Sequence, residues 1–359
     1  MARHATHLTI AAAALLLSAC STFQSKPMPA SAPEPVRPAA EEPPVITAKM
    51  AAAQGALSQM VALQDRLYRV AAPLLINNAE LCRNQARNLL GFTAKNQFSY
   101  SGEFVEAAHD ALGYGDRLQV SGVLPGSGAA RAGLRKGDGL IAAEGKNLPT
   151  GVNAETQAAA VFGPLVSSHQ SLKLTVSRDG ATQVINVPVT RACAFKVDIG
   201  NADNVNAYSD GSRVMITRGM VNFAGSDDAI AYVLAKDMAH NVLGHANVMR
   251  SAFTVSSIID NLVTVRPDLS MLIGTAGVRP VPQDLDAAAD YLALYMLARA
   301  GYDINHVHAF WQRLHTQYPP SVLNGYTAIH PSTTYRLTVI DKTVAEIKAK
   351  EAARKPLLP

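Results

Sequence analysis

Apolar residues recur at helical spacing from Ala48 to about Leu90, at Leu57, Met60, Val61, Leu63, Leu67 and Val70. Positions three and four apart share one helical face, so this stretch is predicted to be helical. Pro73 lacks an N–H and predicts a break into two helices. From about Gly91 to Val189 the texture changes. Short β-type runs such as Leu118–Val123, Leu172–Val176 and Gln183–Val187 alternate with glycine-rich turns. After Cys193 the helical spacing returns. Asn206-Ala207-Tyr208, Gly211 and then Val214-Met215-Ile216-Thr217 read as a turn and a short strand. Ser226 is placed to cap a helix from Ala229 to about Val248, with Asp227 and Asp228 in a first turn where the dipole favours negative charge. Another helix is predicted from near Pro282 to Ala300, stopped by Gly301. The expected fold class is α+β, mainly helical, with a β-rich segment set into it.

Composition adds limits. The 359 residues suffice for two ordinary domains, and 48% are hydrophobic. The net charge is only +4, with no basic stripe interleaved with aromatics, so no nucleic acid partner is expected. At the N-terminus, Arg3 and two histidines precede an apolar run from Leu8 to Leu17. That run is too short to span a bilayer and fits a secretory signal. It ends in Leu17-Ser18-Ala19-Cys20, which resembles the lipobox of bacterial lipoproteins. The resemblance implies cleavage of residues 1–19 and a lipid on Cys20; the alternative is a plain signal peptide with an incidental cysteine. Ser21 favours export to the outer membrane. The expectation is a periplasmic protein anchored through lipid. Residues 20–46, with Pro33, Pro35, Pro38, Pro43 and Pro44, cannot bury a core and read as an extended tether. An oxidising compartment suggests a disulfide between Cys82 and Cys193. Two buried free thiols are the alternative.

Within the β-rich segment lies Pro125-Gly126-Ser127-Gly128-Ala129-Ala130-Arg131-Ala132-Gly133-Leu134-Arg135-Lys136-Gly137-Asp138. It resembles the P-G-S-x-A-x-x-A-G-L-x-x-G-D stretch of bacterial PDZ domains. The glycines allow tight turns, and the small alanines let a short helix pack close to a sheet. The resemblance assigns residues 91–192 to a PDZ-like domain. It implies partners that are extended or unfolded peptides and protein C-termini, bound by strand addition. Gly113-Tyr114-Gly115, just before a strand, is a candidate for capturing a terminal carboxylate and equally an ordinary turn. Cys82 and Cys193 flank this segment, so the simplest picture is an inserted module clipped at its base. Residues 47–90 are then expected to pack with residues 193–350.

The predicted helix after Ser226 reads Ala235-Lys236-Asp237-Met238-Ala239-His240-Asn241-Val242-Leu243-Gly244-His245. A later helix carries Asp286-Ala287-Ala288-Ala289-Asp290 and Leu297-Ala298-Arg299-Ala300-Gly301-Tyr302-Asp303; Phe310-Trp311, His330-Pro331 and Arg336 follow. Over roughly residues 195–340 this resembles the zinc metallopeptidases that include HtpX and BepA, family forty-eight of the metallopeptidases, of gluzincin type. The resemblance implies a zincin-like domain with a small sheet whose edge strand, Arg213, Val214, Met215 and Ile216, aligns substrate. It implies Zn2+ held by H-E-x-x-H and a later glutamate.

Residue by residue, His240 matches the second zinc histidine, Asp286 the glutamate ligand and Asp237 the catalytic glutamate, the last two one methylene short. Asp290 matches the supporting aspartate, and His330 and Arg336 complete the surroundings. Lys236 stands at the first histidine. An ammonium has no free lone pair and repels Zn2+. Two ligands then remain, one fewer than catalytic zinc usually has. His245, about 140° around a continuous helix from His240, cannot converge on it without unwinding and reads as structural or surface. Lys236 either takes the charge position of zinc and pairs with Asp286, or points to solvent. A long distance from its Nζ to Asp286 rules out the first. The expected function is an impaired peptidase acting in envelope quality control or as a peptide-binding adaptor. The alternative is an active zinc endopeptidase degrading misfolded envelope proteins.

Overall fold

A computed structural model describes residues 47–359 except 101, 103, 265–277, 323–324 and 332–333. The signal, Cys20 and the tether lie outside the described residues. The chain opens with α1 (Ala48–Asn77), then β1 (Ala86–Leu89), β2 (Phe92–Lys95), α2 (Phe104–Leu112), β3 (Gln119–Val123), α3 (Gly128–Arg131), β4 (Gly139–Ala143), β5 (Lys146–Asn147), α4 (Ala154–Ser168), β6 (Ser171–Arg178), β7 (Ala181–Pro188) and β8 (Thr190–Cys193). It continues through β9 (Lys196–Gly200), β10 (Ala207–Ser209), β11 (Arg213–Thr217), α5 (Arg218–Ala224), α6 (Asp227–Val242), α7 (His245–Val248), α8 (Ala252–Val263), α9 (Gln283–Ala300), α10 (Val307–Gln317), α11 (Tyr326–Ile329) and α12 (Thr334–Ala352). The class is mixed helix and sheet, as the two periodicities require.

The middle of the chain forms an antiparallel sheet in the order β2-β3-β4-β6-β7, with β5 beside β4. Leu118, Val120, Leu140, Leu172, Leu174 and Val176 fill its core together with Ala158 and Leu165 of α4. Among the described residues β2 pairs with β3 alone and is an end of the sheet. The root of this body is the β1–β8 pair, in which Ala86 faces Cys193. Cys82 and Cys193 are disulfide-bonded, with Cα atoms 5.5 Å apart and a separation of 111 positions in sequence.

The N-terminal helix departs from expectation. Pro73 lies inside a single 30-residue helix. The absent N–H falls near its C-terminal end, where Tyr302 Oη donates to Val70 O at 2.8 Å. There the helix is buried at Val70, Ala71, Ala72, Leu74 and Leu75, and tertiary packing outweighs the roughly 3 kcal/mol that proline costs. From Met60 onward the helix packs in the large helical core. The N-terminal half instead packs Ala53 and Leu57 against Phe104, Ala107, Ala108 and Tyr114 of the β-rich body. One helix thus serves as a spine for both parts.

The helical part is built on α6 and α9, which cross in the core with α12 behind them. α6 is buried from Ala229 to Asn241. Ser226 caps it, accepting from Ala229 N at 3.2 Å. Gly301 stops α9 with φ 84°. The small sheet has the order β10-β11-β9, with β11 antiparallel to β10 and parallel to β9. Arg213–Ile216 therefore do not form an edge. β11 is the middle strand, because Val214, Met215 and Ile216 are apolar enough to be buried on both faces. The edges are β10 and β9.

Candidate functional site

α6 brings Lys236, Asp237 and His240 into the interior, and α9 brings Asp286 and Asp290 against them; all five are buried. Lys236 Nζ lies 2.9 Å from Asp286 Oδ1 and 3.1 Å from Asp290 Oδ1. These are ion pairs whose angles fall short of hydrogen bonds, since Nζ has no aligned acceptor. The Trp311 ring lies 5.0 Å from Nζ, close enough for a cation–π contact. Arg336 is the second buried cation. Its Nε donates to Asp290 Oδ2 at 2.6 Å, and its Nη1 lies 3.1 Å from Asp286 Oδ2. Two cations thus face two carboxylates, and the charges cancel locally. Burial works against ionisation of Asp286, but the charges of Lys236 and Arg336 outweigh it and hold the carboxyl well below its usual range. Lys236 does not point to solvent.

The same Asp286 oxygen meets two imidazoles. His330 Nδ1 lies at 2.8 Å and His240 Nε2 at 3.2 Å. His330 was expected only in the surroundings, yet His240, Asp286 and His330 each bring one ligand-type atom within 4.8 Å of the others. The tally of two remaining metal-ligand types becomes three. Burial lowers the His330 pKa to about 3, which keeps the ring neutral, the form that can ligate.

His245 also departs from expectation. α6 ends at Val242, Gly244 turns left-handed with φ 71°, and α7 restarts at His245. That turn is the unwinding that a continuous helix would lack. It brings His245 Nδ1 to 2.9 Å from His240 Nδ1 and buries the ring. Burial, and then His240, lower the His245 pKa to about 4.

Asp237 is fully buried, and among the described residues its Oδ1 has no hydrogen-bond partner. Its Oδ2 accepts a long bond from Tyr326 Oη at 3.4 Å. Burial raises its pKa to about 6. Tyr326 in turn stacks between Trp311 and His330, with ring centroids 5.5 and 4.4 Å apart. The space over this centre is a cavity of about 40 Å³ bounded by β10, His240, His245, Arg279 and His330. That volume holds a few waters at most.

In Gly113-Tyr114-Gly115 the first two backbone donors are taken. Gly113 N donates to His109 O and Tyr114 N to Ala108 O, so the loop is the C-terminal cap of α2. Tyr114 is buried under α1. A different turn opens onto an edge strand: Gly91, with φ 83°, leads from Leu90 into β2. A Cβ there would lie 2.3 Å from Ser127 Cβ, so the position requires glycine. The apolar-Gly-apolar order Leu90-Gly91-Phe92 ahead of a short strand is the sequence signal that would have found it.

A second, larger cavity of about 1130 Å³ lies beside β2. The β-rich body contributes β2, α4 and residues of β1 and β3, and α1, β9 and the end of α8 also line it.

Residues 168–344 match the family described as Peptidase family M48. The chain is 26% identical over 147 residues to the mitochondrial metalloendopeptidase OMA1 of Schizosaccharomyces pombe, which covers 39% of this chain and 43% of that protein. It is 25% identical over 143 residues to the protein of the same name from Arabidopsis thaliana, covering 39% of this chain and 29% of the relative. The chain thus spans less than half the length of these relatives. Among solved structures, the HtrA3 PDZ domain bound to a phage-derived ligand is similar at 16% identity and a TM-score of 0.22, over 30% of this chain and 88% of that one.

Proposed function

Because residues 168–344 place this chain in peptidase family M48, we propose that it is a non-catalytic member of that family that binds peptides in the bacterial envelope. The observation that carries this reading is the position of Lys236, with its Nζ 2.9 Å from Asp286 Oδ1. The family's metal would have to share that carboxylate with an ammonium. Two positive charges against one, about 4 Å apart, repel by about 8 kcal/mol at an effective dielectric of about 20. Structural zinc sites with full ligand sets gain about 10–16 kcal/mol. The repulsion removes most of that, and His240, Asp286 and His330 do not fit a zinc ion while Lys236 stays ion-paired among them. No hydrolytic step is therefore assigned to these residues.

The remaining function is binding. The glycine-rich stretch from Pro125 to Asp138, the inserted β-rich body and its free edge at β2 support a PDZ-like peptide-binding module. The lipobox-like L-S-A-C and the Cys82–Cys193 disulfide support an exported protein tethered by lipid to a membrane, with the outer membrane as its location. Such a protein would act as an adaptor in protein quality control.

One observation favours a second reading. The triad His240, Asp286 and His330 supplies three ligand-type atoms, enough for a catalytic metal if Lys236 swung away. Incubation with casein and with an unfolded outer-membrane protein separates the two readings. The proposal expects no cleavage with or without added zinc. Cleavage that a chelator blocks would establish the second reading instead.

A further inference from the structure

Resting on the reading that this chain binds peptides, we propose that the peptide site is a composite cleft whose far wall is α1. The peptide would run extended along β2, held between the β-rich body and the helical spine. Two edge strands line this cleft, β2 and β9. An unpaired edge is a template for an added strand. The edge of β9 is taken. Gln64 of α1 reaches across with its side-chain amide, Nε2 donating to Val197 O at 3.0 Å and Oε1 accepting from Ile199 N at 2.8 Å. That amide imitates a neighbouring strand. Among the described residues, β2 has β3 on one side only. It is the edge left open to a peptide.

The ligand class follows from the walls. Phe92 of β2 and Phe162 of α4 face the cleft, their rings packed edge to face at 6.1 Å. Across from them stand Met60, Val61 and Tyr68 of α1. An apolar, extended segment suits such a lining, with its backbone satisfied by the β2 edge. The cleft of about 1130 Å³ is larger than a usual small-molecule pocket of roughly 300–1,000 Å³. The helix is fixed as a wall. The Tyr68 ring packs so closely on β3 that a Cβ at Gly122 would come within 2.8 Å of it. Asp65 accepts an ion pair from Lys136 at 2.6 Å. α1 therefore does not need to move into place when a peptide enters.

The test uses the full chain. Peptides are selected from a random phage-displayed library, synthesised with a fluorescent label and titrated by anisotropy. Ala159→Trp fills the cleft from α4, and Val61→Trp fills it from α1. Both residues line the cleft, and neither is fully buried. Each variant is first shown to melt like the wild type, with Val61→Lys replacing any Val61→Trp that melts early. The proposal expects both walls to matter, each substitution weakening binding at least about tenfold, a change equal to about 1.4 kcal/mol. If Ala159→Trp weakens binding and the Val61 variants do not, the β-rich body binds alone and the composite site is overturned. The peptide-binding reading then survives. If the wild type selects no peptide, both are wrong.

Discussion

The small sheet has two edges, and the molecule treats them differently. Beside β10, where the motif helix ends, the cavity is about 40 Å³ and the buried charges beneath it are paired off. Beside β9 the cavity is about 1130 Å³, and the strand's own edge is closed by one side chain, Gln64. Chemistry needs an open metal position and room for substrate. Binding needs room and a free strand edge. The β10 side has neither room nor an uncrowded ligand set, while the β9 side faces the unpaired β2. The difference teaches that the residues matching the family motif and the roomier cleft lie at opposite edges of one sheet.

The largest effect should come from the root of the open side. Cys82→Ser with Cys193→Ser frees a loop spanning 111 residues of sequence, which the chain-entropy model values at about 4–5 kcal/mol. Urea denaturation of the double variant should show a loss of that order. A loss below about 1 kcal/mol would mean that the β1–β8 pair holds the root unaided.

Next in size is the closed side. Lys236→Met removes one of the two buried cations and leaves Arg336 to balance the charge of Asp286 and Asp290. Breaking a buried pair from one side costs about 3–5 kcal/mol, readable as a lower urea midpoint with the same m-value. A neutral outcome would return Lys236 to the status of a bystander.

A smaller effect depends on pH. Burial holds the folded pKa of His330 at about 3 and that of His245, helped by His240, at about 4. Their contributions are fully present above 6.5, the free imidazole value, and are lost as the pH falls toward those values. Asp237 has the opposite sign. Raised by burial to about 6, it contributes below 3.8 and loses that contribution as the pH rises through 6. Two imidazoles against one carboxyl leave the unfolded chain about one proton ahead between pH 6 and 4. Stability should fall by about 1.4 kcal/mol per pH unit on acidification there. In His330→Gln that slope should flatten to near zero.

The smallest effect is at the open side's surface. Lys136→Ala removes the ion pair with Asp65, but the two side chains are 43% and 34% exposed. Solvent screening limits such a pair to about 0–1 kcal/mol. A larger loss would show that this contact, rather than Tyr68 on Gly122, docks the spine.

Periodicity made most elements legible. The strand at Val214–Thr217, the cap at Ser226 and the stop at Gly301 each depend on local chemistry that neighbours do not override. Tertiary effects were not legible. Pro73 inside α1 is outvoted by packing, and the middle position of β11 follows from pairing partners that no single strand announces. At the site, Lys236, Asp237, His240, Asp286 and Asp290 could be placed because the family resemblance gave each a position, and helical spacing adds only that Lys236 and His240 share a face. His245 and His330 could not be placed. The first depends on a left-handed turn at Gly244, the second on how α11 folds back over α9. The sequence left Gly113-Tyr114-Gly115 open between a carboxylate loop and an ordinary turn, because glycine beside an aromatic suits a helix cap as well as an anion loop. Only the hydrogen bonds separate the two.

Metal analysis of the purified wild-type chain tests the central claim most directly. The account predicts zinc well below one ion per chain, unchanged in His240→Ala, because Lys236 already compensates the carboxylates a metal would need. One zinc per chain, lost in His240→Ala, would contradict it.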